Sequence, residues 1–263
     1  MAWNPEVYNQ FKKERYAPFE DLLQLVTVQP GLSVIDLGCG TGELTRRLAD
    51  HLPGSNVLGI DASPQMLKEA AAFSRNDLLF EQYSIEDVLR QDRKWDLVFS
   101  NAAIQWLDHH EALIAAIIGS VNEGGQLAIQ LPSNHDHLTH RLLDTIPRSE
   151  PYATALGGWT RNVSTLSIEA YAKILFDHGG ENIIVLEKVY PHVLQDANAL
   201  FNWMSGTALI RYLDRLPAAL QAGFAADYKK QLQETFTSSP IFYPFKRILM
   251  AANFPAASSN ASS

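Results

Sequence analysis

The chain has 263 residues, 46% apolar and 19% charged, and its 29 acidic side chains outnumber 21 lysines and arginines for a formal net charge of -8. That apolar fraction supports a core and excludes wholesale disorder, and the length fits one large domain or one domain with a sizeable insertion at roughly 150 residues per domain. The acidic balance speaks against nucleic acid and anionic membrane surfaces, which call for clustered positive charge. A single cysteine, Cys39, excludes an internal disulfide or a cysteine-based zinc site. The first residues have no basic segment followed by an apolar run, and no stretch approaches the about 20 apolar residues of a membrane span. The expectation is a soluble, cytoplasmic protein.

From residue 33 onward, short β-type runs alternate with helical ones. Strands are predicted at Ser33–Leu37, Asn56–Asp61, Leu79–Tyr83, Trp95–Ser100 and Gln126–Leu131, with helices at Glu43–His51, Pro64–Ser74 and His109–Val121 between them. Leu44, Leu48 and Leu52 lie at i, i+4, i+8, on one helical face. Asn122 to Gly125 reads as a helix stop and a turn into the fifth strand. Such alternation predicts an α/β fold, a parallel sheet with helices on both faces.

The second half is less regular. Residues 133–166 are rich in His, Pro, Gly and Trp; a helix is expected from about Ser167 to His178, capped by Ser167 and stopped by Gly179 and Gly180. A strand is expected over Ile183–Val193, two or three helices over 196–236, a last strand over Phe245–Phe254, and a disordered tail over 256–263. The boundaries read as one domain over 1–255. Residues 30–132 form its core, with insertions at 133–166 and 196–238, where loops of such a sheet carry specificity.

The sharpest motif is Val34-Ile35-Asp36-Leu37-Gly38-Cys39-Gly40-Thr41-Gly42, a strand entering a glycine loop that opens a helix at Glu43. Glycines there permit positive φ and close backbone approach to a ligand. A dinucleotide fingerprint has its third glycine where Glu43 stands, and a carboxylate in that first turn is a poor receiver for a pyrophosphate. A dehydrogenase is therefore disfavoured, and a ligand without phosphates fits better. Asp61, closing the second strand, is placed to accept hydrogen bonds from both hydroxyls of a ribose.

Loop, helix and acid together resemble the S-adenosylmethionine-dependent class I methyltransferases of Rossmann-like fold. The resemblance implies a seven-stranded, doubly wound sheet with an N-terminal helix and a helical lid. It implies S-adenosylmethionine as cofactor, with Asp36, Gly38, Gly40 and Gly42 holding the methionine part, Asp61 the ribose, and Ala62 and Met66 packing on the adenine. Ser84 stands where the family usually has an acid for the adenine amino group, and the backbone N–H of Ile85 is placed to reach the ring. Asn101, Gln105 and Trp106 fall in the loop beside the reactive methyl, which implies Asn101 as a cofactor contact and Gln105 and Trp106 as substrate contacts; core packing is the alternative for Trp106.

The chain also resembles one branch of that family, the trans-aconitate 2-methyltransferases. Trp3-Asn4-Pro5 with Tyr8, Phe11 and Arg15, and Asn101-Ala102-Ala103-Ile104-Gln105-Trp106-Leu107, match the branch; Trp203 to Thr207 matches it imperfectly. The implied reaction is methyl esterification of a small di- or tricarboxylic acid by a monomer or weak dimer. Alternatives are a malonyl group on a carrier protein, a hydroxyl acceptor, or a non-catalytic module that binds the cofactor. An acid acceptor calls for cations, for which Lys12, Arg15, Arg161 and Arg211 are candidates against the alternative of solvated surface charges. Tyr8, Trp203 and Tyr243 are candidates to line the pocket, and His135 is a candidate substrate contact. His135, His137 and His140 invite a metal reading, but no further ligand follows at a recognisable spacing, so no metal is expected.

Overall fold

The computed structural model describes residues 12–256, with side chains from Tyr16 onward. Tyr8, the opening motif, the side chains of Lys12 and Arg15, and the tail expected beyond Ala256 lie outside the described residues. The described residues divide into two units, one of residues 17–132, 164–188 and 247–256, the other of 12–16, 133–163 and 189–246.

From Ala17, within α1 (Lys12–Leu23), the chain runs in the first unit through β1 (Ser33–Leu37), α2 (Glu43–His51), β2 (Asn56–Asp61), α3 (Pro64–Ala70) and β3 (Leu78–Gln82), then α4 (Ile85–Leu89), β4 (Trp95–Asn101), α5 (His110–Gly119) and β5 (Val121–Pro132). After an excursion it returns through α8 (Ile168–Asp177). The strands β6 (Glu181–Leu194) and β7 (Ile241–Phe254) complete a seven-stranded sheet of order β3-β2-β1-β4-β5-β7-β6. β1 to β5 pair parallel and β7 runs antiparallel to β5. The expected doubly wound, Rossmann-like sheet is therefore present. Strand order reverses between β1 and β4, and ligands bind open α/β sheets outside the strand ends at such a switch point.

Alternation along the strands sends side chains to two cores. Ile35, Leu37, Val98 and Ile129 pack on one face with Ile114, Tyr171 and Leu175. Val34, Leu97, Phe99 and Leu249 pack on the other with Phe19, Leu48 and Leu52. Leu48 and Leu52 are fully buried as their helical spacing predicts, each contributing roughly 1.5–3 kcal/mol. Ser167 caps α8 by accepting from the N–H of Ala170, a contact of about 1 kcal/mol.

The expected turn at 122–125 is instead part of β5. Trp95 pairs with Val121 but Leu97 already pairs with Gln126, so the intervening residues bulge out of the ladder. The Asn122 side chain ties the bulge to Asp96 Oδ1 at 2.8 Å.

The second unit holds α6 (Leu138–Thr145), α7 (Tyr152–Ala155), α9 (Ala197–Ser205), α10 (Ile210–Leu213) and α11 (Ala218–Thr235). Its own core joins Leu143, Tyr152, Trp203, Tyr212, Phe224, Tyr228 and Tyr243. No helix among the described residues is long and apolar enough to cross a membrane.

Candidate active site

The loop after β1 is held by backbone. Gly38 and Cys39 N–H both donate to the Ile60 carbonyl at 2.9 and 2.8 Å, fixing it to the end of β2. Gly38, Gly40 and Gly42 all have positive φ. A Cβ on Gly38 would lie 2.2 Å from Ala103 Cβ, and one on Gly42 would strike Ala70 and Phe80, whereas one on Gly40 would meet nothing within 4 Å. Two of the glycines thus serve the protein's own packing, and the third opens onto free space where a ligand can approach the backbone. Cys39 is buried, and burial pushes its thiol well above the usual range, so it stays an inert, protonated filler.

Two carboxylates flank the loop. Asp36 is only 4% exposed. Its Oδ2 accepts from Thr45 Oγ1 at 2.6 Å, and its Oδ1 is buried with no hydrogen-bond partner. Burial pushes its pKa up to about 7 against the pull of the Thr45 bond, with the charge of Asp61 adding to the rise. A buried, half-satisfied carboxylate is costly unless a donor or cation comes to it. Asp61 Oδ2 accepts from Gly40 N–H at 3.0 Å and Oδ1 from Ser63 N–H at 2.8 Å. Each oxygen keeps a second lone pair for an outside donor. An open glycine, an orphaned carboxyl oxygen and a clamped carboxylate fit a ligand that has an ammonium group and a ribose, as S-adenosylmethionine does.

Around this centre, Ser63 caps α3 by accepting from Met66 N–H at 3.3 Å, leaving Ala62 exposed and Met66 half-buried. Ser84 is the N-cap of α4: its hydroxyl accepts from Asp87 N–H at 3.0 Å and donates to Asp87 Oδ2 at 2.7 Å. Its proton is therefore committed, and a lone pair is what it has left for an adenine amino group. The Ile85 side chain is core, yet its N–H opens a helix and has no intrahelical acceptor.

The loop after β4 leans on β1 through Ser100 Oγ, which donates to the Leu37 carbonyl at 2.8 Å. Ala102 has a left-handed φ of 55°, and Gln105 Nε2 donates to its carbonyl at 2.7 Å. Trp106 is 49% exposed, which overturns the core alternative for it. Buried His110 props this turn, one ring nitrogen against the Ile104 carbonyl at 3.1 Å and the other against Tyr171 Oη.

In the second unit, His135 stands after β5 with Nε2 3.5 Å from Asp136 Oδ2. His137 caps α6 and packs against Tyr243 and Phe236. His140 Nδ1 faces Arg161 Nη1 at 3.2 Å, and burial, with Arg161 adding, pushes its pKa down to about 3. Arg161 Nη2 reaches Asp144 Oδ2 at 3.3 Å, and Tyr212 donates to Asp144 Oδ1. The three histidines are thus spread over cap, helix and loop duties, and no group of three metal-ligating side chains stands together among the described residues. Trp203 and Tyr243 are buried in an aromatic cluster with His192 and Phe245. Arg211 is half-buried on α10, its carbonyl accepting from Arg215.

Three polar partners escape sequence reasoning: Thr45 against Asp36, Asp144 between Arg161 and Tyr212, and the buried pair Gln130 and Arg247. The last two interrupt apolar strand runs, the one signal that marks them.

Residues 35–127 match a family model described as a methyltransferase domain. The chain is similar to a trans-aconitate 2-methyltransferase of Deinococcus radiodurans, 43% identical over 97% of this chain and 99% of the relative. It is also similar to one of Variovorax paradoxus, 35% identical over 95% of each. Among solved structures, the YcgJ protein from Bacillus subtilis superposes with a TM-score of 0.60 at 13% identity, covering 92% of this chain and all of that one. Phosphoethanolamine N-methyltransferase 2 of Haemonchus contortus, solved with S-adenosyl-L-methionine, superposes with a TM-score of 0.55 at 18% identity, covering 91% of this chain and 52% of that one. These two share the fold.

Proposed function

We propose a small di- or tricarboxylic acid as the methyl acceptor of this chain, which belongs to the S-adenosylmethionine-dependent trans-aconitate 2-methyltransferase family. The observation that carries the reading is near-full-length similarity to relatives of that name, over a chain whose glycine loop clamps Asp61. Bound at the loop, S-adenosylmethionine supplies a methyl group on a sulfonium. That methyl would pass to the acid's carboxylate oxygen, the C–O bond forming as the C–S bond breaks with its electron pair left on sulfur.

A carboxylate is already ionised at neutral pH, so no general base is needed. The protein's work is alignment and exclusion of water. Asp36 offers its orphaned oxygen to an ammonium group, Asp61 its free lone pairs to a ribose, and the Ile85 N–H a donor to the adenine ring. Gly38, Gly40 and Gly42 shape the loop, while Ala62, Met66 and Ser84 border the adenine side. Asn101 borders the cofactor beside its reactive methyl, and Gln105 and exposed Trp106 border the acceptor side. Arg211 is the cation we assign to the acid, with His135 a further contact; Arg161 is held by Asp144, and Trp203 and Tyr243 support their own unit's core. We read the enzyme as a cytoplasmic monomer or weak dimer.

The test is a rate panel with purified enzyme and S-adenosylmethionine. trans-Aconitate and related di- and tricarboxylates should turn over, while alcohols, amines and malonyl thioesters of a carrier protein should not. Turnover confined to the carrier-bound or hydroxyl acceptors overturns the reading.

A further inference from the structure

We propose that Arg247 sets the direction of a hydrogen-bond chain, Arg247 to Gln130 to Asn101, that makes Asn101 present amide N–H donors to a carboxylate at the end of β4. Register brings the three together: Asn101 lies opposite Gln130 across β4 and β5, and Arg247 opposite Pro132 across β5 and β7. Arg247 is 7% exposed and Gln130 1%, while Asn101 at the strand end is half-buried. Arg247 Nη1 donates to Gln130 Oε1 at 3.0 Å, and Gln130 Nε2 donates to Asn101 Oδ1 at 2.7 Å.

Guanidinium groups donate and never accept. A primary amide has one accepting and one donating end, and its orientation follows from the network around it. With Arg247 as the fixed donor, Gln130 must turn its oxygen to Arg247 and its nitrogen to Asn101. Asn101 must then turn its oxygen to Gln130, which leaves its two N–H bonds on the other side of the amide. The Gln130 carbonyl also accepts from Ala102 N–H at 2.9 Å, so one residue holds both backbone and side chain of this segment. The segment abuts the glycine loop, where Ala103 Cβ occupies the space a Gly38 side chain would need. Amide donors there match a carboxylate oxygen, either of the acceptor acid, which rests on the function proposed above, or of the cofactor's methionine moiety. Arg247 and Gln130 are positioning residues in this scheme.

The test uses full-length Gln130→Glu, Arg247→Lys and Arg247→Met. A glutamate at 130 accepts from Arg247 as an ion pair but has no proton for Asn101, so Asn101 reverses while the sheet keeps its bonds. Gln130→Glu should keep the wild-type Tm yet lose affinity by about tenfold or more, as expected for a donor lost to a charged partner. Arg247→Lys, still only a donor, should retain function that Arg247→Met loses.

Calorimetry separates the sources. Weaker acid binding to the S-adenosylhomocysteine complex assigns the acid's carboxylate. Weaker S-adenosylhomocysteine binding, with no change for its decarboxylated analogue, assigns the cofactor's. A folded Gln130→Glu enzyme with wild-type S-adenosylhomocysteine affinity overturns the proposal if its acid affinity is also unchanged, or if wild type binds no acid. Wild-type turnover of acids, measured alongside, decides the proposed function separately.

Discussion

Asp61 and Gly40 are joined directly: the aspartate's Oδ2 accepts the glycine's backbone N–H at 3.0 Å, while its Oδ1 accepts from Ser63. The acid that closes β2 is thus also a strut of the loop that follows β1. Asp61→Ala removes two charge-assisted bonds inside the protein and the proposed ribose contact, each worth roughly 1.5–3 kcal/mol. S-Adenosylhomocysteine affinity measured by calorimetry should fall by more than about tenfold, with a lowered Tm. Unchanged affinity in a folded variant would remove Asp61 from the site.

Asp36 should make stability pH-dependent. Its folded pKa of about 7 lies above the ordinary aspartate value of about 3.9. The native state therefore holds a proton the unfolded chain has released, and stability falls as pH rises from about 4 to about 7, then levels off. Asp36→Asn removes that term, so its Tm should gain on wild type across the same window and keep the gain at higher pH. A constant difference between the two from pH 4 to 8 would contradict the buried-carboxylate account.

The two arginines of the second unit should part company on mutation. Arg161 is held between His140 and Asp144, so Arg161→Ala should cost stability, roughly 1.5–3 kcal/mol for a lost bond to a charged group. Arg211→Ala should raise the acid's KM by about tenfold or more, as removal of a substrate contact does. A large KM effect at Arg161 and none at Arg211 would reverse the assignment.

Methyl transfer should survive exhaustive EDTA, because His137 is committed to a helix cap and His140 to Arg161, and no clustered ligand set accompanies them among the described residues. Activity lost to chelator and restored by a divalent ion would refute this.

What the sequence carried was local. The Glu43–His51 helix is found over the residues its leucine spacing predicts, and Asp36, the glycines and Asp61 lie within one strand-helix-strand unit. The bulge at 122–125 read as a turn because glycines and an asparagine mark both. Gln130 lies 29 residues from Asn101 and 117 from Arg247, so strand order, not spacing, joins them. Arg161 and Asp144 likewise meet only through the packing of their unit. A tryptophan in an apolar segment favours the core on average, but Trp106 sits on a short turn propped by His110 and remains exposed.

The most direct measurement follows the methyl group itself. Enzyme, methyl-labelled S-adenosylmethionine and trans-aconitate should give a product in which label sits on a carboxylate oxygen, and mild base should release it as labelled methanol while regenerating the acid. Label that resists base, or that appears on carbon, nitrogen or a hydroxyl oxygen, would contradict carboxylate methylation.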